Sequence, residues 1–152
     1  MDEIKNVPFP QADDFEKVIS LLNIPDESKL DDKKYLSFVL ENISERQVMY
    51  YLSACMYLNL VTKDKTFSPL GKSIRELSQT RQRIELIRLL IADKVFGTVF
   101  ITEKVYGVKL EKEEIIEIIK SEFPTYSDEL YDRRYQTVKK WLNWIDSNFY
   151  KN

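Results

Sequence analysis

The amino-acid sequence predicts a mainly α-helical fold, a tandem winged helix-turn-helix with one small β-hairpin wing. Long runs of helix-forming residues, such as RQRIELIRLLIADKVF, together with only three glycines and five prolines, leave little room for loops. Residues 32–71 have the pattern of a short helix, a turn, a second helix, a hairpin and the start of a third helix. A second helix-turn-helix pattern begins at Leu110.

The second helix of the first module is predicted to begin after Ser44, a residue type that favours the N-cap position. Apolar residues then recur at three- and four-residue spacing. They predict a buried side that consists of Val48, Leu52, Cys55 and Met56. A rotation of about 100° per residue predicts a free side opposite, which consists of Arg46, Tyr50, Ser53 and Tyr57.

The β-hairpin is predicted from the run LVTKDKTFS, in which β-prone residues lie on both sides of a charged pair. Asp64 and Lys65 are expected at its tip. Pro69 and Gly71 then mark the start of the next helix. This hairpin would be the wing of the first module.

The free side of the second helix has residue types that suit a DNA major groove, and the lysines of the wing suit phosphates. The candidates on the helix are Arg46, Gln47, Tyr50 and Ser53, and those on the wing are Lys63 and Lys65. Two alternatives stay open. The helix side can simply face solvent, or it can dock another protein, because a fold alone does not fix a function.

Between the two modules the sequence predicts helix with one break. Thr80 is the expected N-cap of a helix over residues 81–96, and Gly97 is the expected break. The apolar stripe of this helix is predicted to consist of Ile84, Ile87 and Ile91. A further helical segment should end at Gly107. Because no flexible linker appears, we expect a first module over residues 1–78 and a second module over residues 79–152, packed on the first.

The second module is predicted to contain a helix after Leu110 and a final helix capped by Ser127. The inner stripe of the first of these helices should consist of Ile115, Ile116 and Ile119. The buried side of the final helix should consist of Leu130, Val138, Trp141, Leu142 and Ile145. Its outward side should consist of Arg133, Gln136 and Lys140, flanked by Thr137 and Lys139. These are residue types that contact base edges and phosphates, although Arg133 and Arg134 could instead pair with Glu129 or Asp132.

Residue usage excludes most catalytic sites. The chain contains no histidine and a single cysteine, Cys55, so it cannot form a Ser-His or Cys-His pair, a histidine-containing zinc site or a disulfide framework. The three glycines are isolated, and they form no phosphate loop. The acidic run Glu111, Glu113, Glu114 and Glu117 has the spacing of a solvated helix face. We therefore expect no catalytic residue, no metal and no cofactor.

The sequence also lacks an apolar stretch of 18 or more residues, which predicts a cytoplasmic protein without a membrane partner. Charge is unevenly distributed around a net formal charge of −2. Residues 1–43 contain ten acidic and five basic residues, and the rest of the chain contains 18 basic and 15 acidic residues. Local basic patches, rather than the total charge, would therefore have to bind DNA.

Two stretches carry a resemblance to known proteins. YLNLVTKDKTFSPLGKSI resembles the wing and following helix of bacterial winged-helix regulators. From DDFEKVISLL to RRYQTVKKWLNWI, the chain is similar to the tandem winged-helix DNA-recognition region of bacterial restriction endonucleases and related defence proteins. That resemblance implies DNA contacts by Arg133, Arg134, Gln136, Thr137 and Lys140. It also implies a separate nuclease domain, which these 152 residues do not contain, so the chain would be either a free-standing protein or one fragment of a larger one.

The expected function is therefore non-catalytic binding of double-stranded DNA, as the recognition module of a restriction or defence system beside a nuclease or another protein subunit. The alternative is a winged-helix protein–protein interaction module or a transcriptional regulator. DNA binding predicts an affinity that falls steeply with salt, whereas protein interaction predicts a weak salt response.

Overall fold

The computed structural model describes residues 7–149, which fold as α-helices and connecting turns with no β-strand among them. The chain divides into two compact units, residues 1–82 and residues 83–152. The first unit contains α1 (Phe15–Leu22), a 3-10 turn (Glu27–Asp31), α2 (Lys33–Val39), α3 (Glu45–Tyr57) and α4 (Pro69–Arg75). Helix α5 (Gln79–Ala92) crosses the division. The second unit continues with α6 (Lys94–Phe100), a π-helical stretch (Ile101–Val105), α7 (Lys112–Glu122) and α8 (Asp128–Phe149).

The mainly α-helical prediction is confirmed, but the predicted wing is wrong. Only Val61 and Phe67 form an antiparallel bridge, and this single bridge stays outside any strand. It does not lengthen away from the tip, because Asn59, before Val61, has a left-handed backbone with φ of 60° and Ser68, after Phe67, caps α4. The tandem winged helix-turn-helix with a β-hairpin is therefore corrected to an all-helical fold over the described residues.

The loop that replaces the wing is held against the 3-10 turn. The Lys65 ammonium lies 3.1 Å from an Asp31 carboxylate oxygen. The Phe67 N–H donates to Glu27 Oε2 at 2.7 Å. These acids hold the loop folded back on its own unit, so it does not project as a free hairpin.

The first unit has its core between α1, α2 and α3. The predicted start of α3 and its cap are confirmed, since the Gln47 N–H donates to Ser44 Oγ at 3.1 Å. Val48, Leu52 and Cys55 are buried as predicted, and Met56 is only half-buried. A glycine is required at Gly71 of α4, because a Cβ there would lie 2.1 Å from the Leu60 carbonyl oxygen.

The side chains of Arg75 and Gln82 bind residues at the end of α1, more than 50 positions earlier in the sequence. The Arg75 guanidinium donates from Nη1 to the carbonyl oxygens of Leu22 at 2.6 Å and Ile24 at 2.7 Å, so it satisfies the open end of α1. The same guanidinium lies over the Phe67 ring, 4.2 Å from its centroid. The side-chain amides of Asn23 and Gln82 donate to each other, at 2.9 and 2.8 Å.

The helix predicted over residues 81–96 is two helices. Ser78 is the cap of α5, because its Oγ accepts the Arg81 N–H at 3.3 Å, and Thr80 lies inside the helix. The break comes at Asp93, whose carboxylate accepts the Val95 and Phe96 N–H groups, both at 3.0 Å. An acidic N-cap therefore ends the run four residues before the predicted break.

Gly97 lies inside α6 rather than between helices. It allows α6 to lie close to the Ile91 carbonyl of α5, since a Cβ at position 97 would lie 2.0 Å from that oxygen. The predicted Ile84, Ile87 and Ile91 stripe is also out of phase. Leu86 and Leu90 are the buried leucines of α5, whereas Ile84 is 44% exposed. Because apolar residues lie on both sides of this helix, the spacing of apolar residues alone did not determine which side is buried.

The second unit has its core between α6, α7 and α8. The rings of Phe96 and Trp141 stack with centroids 4.8 Å apart and an interplanar angle of 15°. Ile115 and Ile119 of α7 are fully buried, as predicted, and Ile116 is half-buried. Within residues 7–149, no helix combines the length and the apolar character that a membrane span needs.

Cys55 lies in the core of the first unit, where burial raises the pKa of its thiol to about 12. The thiolate is the reactive form, so the folded protein should contain almost none of it at pH 8. We therefore expect no reaction of the native chain with a chromogenic disulfide reagent at pH 8, and one thiol per chain to react in urea. A fast reaction without denaturant would show that the core around α3 opens readily.

Candidate nucleic-acid interface

The outward side of α8 carries four of the candidate DNA contacts that remain accessible. Gln136 and Lys140 are exposed, and Arg133 and Lys139 are half-buried. Arg133 donates from Nη1 to the Thr137 hydroxyl at 3.3 Å. Within residues 7–149, neither Lys139 nor Lys140 forms an ion pair, so their charges are available to a ligand.

Charge changes sign along α8. Its first turn is acidic, with Asp128 and Glu129, as suits the positive end of a helix dipole. Asp132 follows, and its carboxylate lies 3.2 Å from the Lys112 ammonium of α7. The helix is basic from Arg133 to Lys140. The charge of α8 therefore disfavours an anion at the beginning of the helix and favours one at its middle.

Two of the candidate residues on α8 are buried and do not belong to the outward side. Arg134 is 5% exposed and Thr137 is 0% exposed. They lie on the stripe that also contains Tyr131, Val138 and Trp141, at spacings of three and four residues. The predicted core residue Leu130 is 40% exposed instead. The sequence pattern therefore predicted the correct phase for the second half of α8 and misplaced the first half.

The Arg134 guanidinium lies in an aromatic cluster at the turn between α7 and α8. Its central carbon is 4.5 Å from the centroid of the Tyr126 ring. The Tyr126 ring stacks in turn on Phe123, with centroids 5.8 Å apart and an interplanar angle of 7°. Tyr131, 3% exposed, donates its hydroxyl to the Phe123 carbonyl oxygen and accepts the Tyr126 N–H. Tyr126 lies eight residues before Arg134 in the sequence, beyond the three- and four-residue spacing of a helix face, so helical periodicity does not indicate this contact.

A groove of about 280 Å³ lies beside this cluster, between α7 and α8. Its lining mixes both signs of charge: Lys112, Glu113, Ile116, Glu117, Lys120, Asp128, Tyr131 and Asp132. Four acids face two lysines in this lining, so the groove is net negative and disfavours an anion.

The free side predicted for α3 is only partly free. Arg46 and Gln47 are exposed in the first turns of the helix, and Tyr50 and Ser53 are half-buried. Arg46 donates from Nε to the Tyr50 hydroxyl at 3.0 Å, which holds both side chains on the surface of the helix. The Tyr57 ring packs edge-on against Phe9, with centroids 5.5 Å apart.

The two candidate lysines of the wing lie in the loop after α3. Lys63 is exposed, whereas Lys65 forms the ion pair with Asp31 described above. A phosphate at Lys65 would therefore compete with a carboxylate, and only Lys63 is readily available. The α3 and loop candidates belong to the unit of residues 1–82, and the α8 candidates belong to the unit of residues 83–152.

Two carboxylates at the start of α7 cap the helix. Glu111 and Glu114 form a reciprocal capping box, in which the Glu111 N–H donates to Glu114 Oε1 at 2.8 Å. Glu113 and Glu117 are exposed. Over residues 7–149, no group of three or more acidic or cysteine side chains is arranged to hold a metal ion.

One family model matches most of the chain. It is described as "Domain of unknown function (DUF7226)", and it matches residues 17–149. No curated protein and no solved structure matches the sequence. Since the match includes every helix from α2 to α8, the chain belongs to the DUF7226 family.

Proposed function

We propose that this chain is a non-catalytic protein that binds double-stranded DNA through the outward side of α8. The observation that carries the proposal is the surface of Arg133, Gln136, Lys139 and Lys140, in which neither lysine has an ion-pair partner among the described residues. A cationic and amide-bearing surface on one helix suits a ligand that presents phosphates and base edges together.

The dimensions of α8 support this proposal. The helix has 22 residues and is therefore about 33 Å long, so its basic middle can lie in a major groove while its acidic start stays outside. An amide such as Gln136 can read an adenine edge, and the lysines can neutralise phosphates. The opposite side is fixed in the core by Trp141 and Ile145, which holds the surface in one orientation.

A second contribution is proposed for the first unit. Arg46 and Gln47 are exposed at the start of α3, and Lys63 is exposed in the loop that follows this helix. The resemblance of the sequence to restriction endonucleases supports a narrower proposal. DNA recognition would then serve a cytoplasmic restriction or defence system, with a nuclease or another protein subunit as the partner.

The double variant Gln136→Ala with Lys140→Ala tests the α8 surface. Both side chains are exposed, so the variant should fold as the native chain does. We expect a weaker affinity for duplex DNA and a salt slope reduced by about one unit, because position 140 would no longer neutralise a phosphate. Fluorescence anisotropy with a labelled duplex, titrated at several salt concentrations, measures both quantities.

The matched control is Lys94→Ala, which removes an exposed lysine of the same unit at the start of α6. Its affinity and salt slope should equal those of the native chain. Equal losses in the control and in the double variant would indicate a general charge effect and would exclude α8 as the specific surface.

Protein–protein interaction is the second candidate function, and a different surface favours it. The segment at the end of α6 exposes four apolar side chains, with Val105 67% and Tyr106 76% exposed, together with Ile101 and Val108. Contiguous exposed apolar residues are typical of protein-binding surfaces. This candidate predicts that Val105→Ser with Tyr106→Ser abolishes binding to a partner subunit and leaves DNA affinity unchanged, as size-exclusion chromatography and anisotropy would show.

A further inference from the structure

Arg134 is a buried cation that the described part of the protein does not neutralise. Its side chain is 5% exposed, and its Nε and Nη1 atoms are fully enclosed without a hydrogen-bond acceptor among residues 7–149. The Tyr126 ring contacts one face of the guanidinium, but a ring face accepts none of its N–H groups in the plane.

No acidic residue lies three or four positions from Arg134 along α8. Residues three and four positions away on the same helix would be the natural partners, and they are Leu130, Tyr131, Thr137 and Val138. The acid nearest to Arg134 in the sequence, Asp132, pairs with Lys112 of α7. An arginine keeps its charge in proteins, so the enclosed donors are an energetic cost to the fold.

An uncompensated guanidinium of this kind is more expensive than an apolar side chain of the same size. A loss of stability of this kind is common at binding sites, because selection for function tolerates residues that destabilise the fold locally. The ligand that removes the cost must carry negative charge and several acceptor oxygens. Phosphate meets both needs, and it matches the planar N–H fork of arginine.

We propose that Arg134, together with Tyr126, is a phosphate-binding site at the turn between α7 and α8. Tyr126 is half-buried and lies between the exposed residues Thr125 and Ser127, so the ring that contacts the guanidinium lies near the surface of the turn. The phosphate belongs either to a nucleic-acid backbone or to free phosphate and phosphorylated small molecules. The site does not depend on the DNA-binding proposal, because its chemistry is that of the phosphate group.

The test compares thermal unfolding of the full chain in inorganic phosphate and in chloride at equal ionic strength. The Tm of the native chain should rise with phosphate concentration and saturate, because a ligand that binds only the folded state stabilises it. Arg134→Met, which replaces the cation with an apolar chain of similar length, should have a Tm equal to or above that of the native chain in chloride. It should show no phosphate-dependent rise.

Two controls separate this site from other cations of the same unit. Arg88→Met makes the same substitution at an exposed residue that pairs with Glu85 at 3.4 Å, and it should keep the full phosphate response. Lys94→Met, at an exposed lysine of the same unit outside the proposed DNA-binding surface, should keep it as well. Arg134→Lys keeps the charge and loses the planar fork, so half-saturation should need about tenfold more phosphate.

A native chain that gains no more from phosphate than from chloride overturns the inference, and so does an Arg134→Met protein that keeps the response or is less stable in chloride. If Arg134→Met does not fold, an unchanged response of Arg134→Lys overturns it instead. A parallel titration with duplex DNA identifies the source of the phosphate. Loss of DNA affinity in Arg134→Met assigns the nucleic-acid backbone, and native DNA affinity assigns a free phosphate or small molecule. A native chain that does not bind DNA at all would refute the proposed function while the phosphate titration still decides this site.

Discussion

Replacement of Trp141 by alanine is expected to lower the free energy of unfolding by about 3–5 kcal/mol. The indole is completely buried and stacks on Phe96 of α6, so its removal eliminates apolar contacts and leaves a cavity between α6 and α8. A decrease of this size is a large share of the stability of a small protein. Urea denaturation followed by circular dichroism measures it.

Trp144→Ala is the matched control, because Trp144 is on the same helix and is only half-buried. Its replacement should cost clearly less than that of Trp141. Equal losses in the two variants would contradict the packing phase of α8, and the outward surface of Gln136 and Lys140 would have to be abandoned with it.

Gly71→Ala is expected to destabilise the first unit by about 3 kcal/mol or more, through overpacking. An alanine usually stabilises a helix by about 1 kcal/mol over glycine, so the sign of the effect is itself informative. Here the added Cβ would lie 2.1 Å from the Leu60 carbonyl oxygen, and a backbone atom cannot move aside cheaply. The midpoint of urea unfolding, compared with that of the native chain, tests this expectation.

Ser73→Ala on the same short helix is the control, because Ser73 is exposed and its hydroxyl contacts only the Leu70 carbonyl of its own turn. Its effect should be within about 0.5 kcal/mol of zero. A stabilising Gly71→Ala would show that α4 lies farther from Leu60 than the structure places it.

Local signals predicted the helices well where cap and periodicity agreed. Ser44 begins α3, Ser127 precedes α8 and accepts the Leu130 N–H at 3.3 Å, and Val48 and Trp141 are buried as expected. These features depend on neighbours three or four residues away, which a sequence displays directly.

The wing failed because strand pairing depends on residues far away in the sequence. The run LVTKDKTFS has β-propensity, but only Val61 and Phe67 pair, and Glu27 and Asp31 of the 3-10 turn hold Phe67 and Lys65 against the first unit. Nothing near position 65 in the sequence indicates those acids. The helix break predicted at Gly97 is wrong for a similar reason. The glycine lies inside α6, where the absence of a Cβ leaves room for the Ile91 carbonyl.

The candidate site was predictable only in part. Gln136 and Lys140 lie outward as the angular count expects. Arg134 and Thr137 were assigned to the surface because their polarity outweighed their position on the buried stripe. Polar residues are seldom buried, and the exception at Arg134 could be found only by locating the Tyr126 ring against it.

The contacts that Arg75 and Gln82 make also determine when the first unit can fold during synthesis. Arg75 completes the end of α1 across 53 positions of sequence from Leu22, and Gln82 pairs with Asn23 across 59. A ribosome delivers the chain from its N-terminus, so α1 leaves the exit tunnel long before either partner does. The contacts at the end of α1 can therefore form only after the start of α5 has emerged, and we expect the first unit to close late during synthesis.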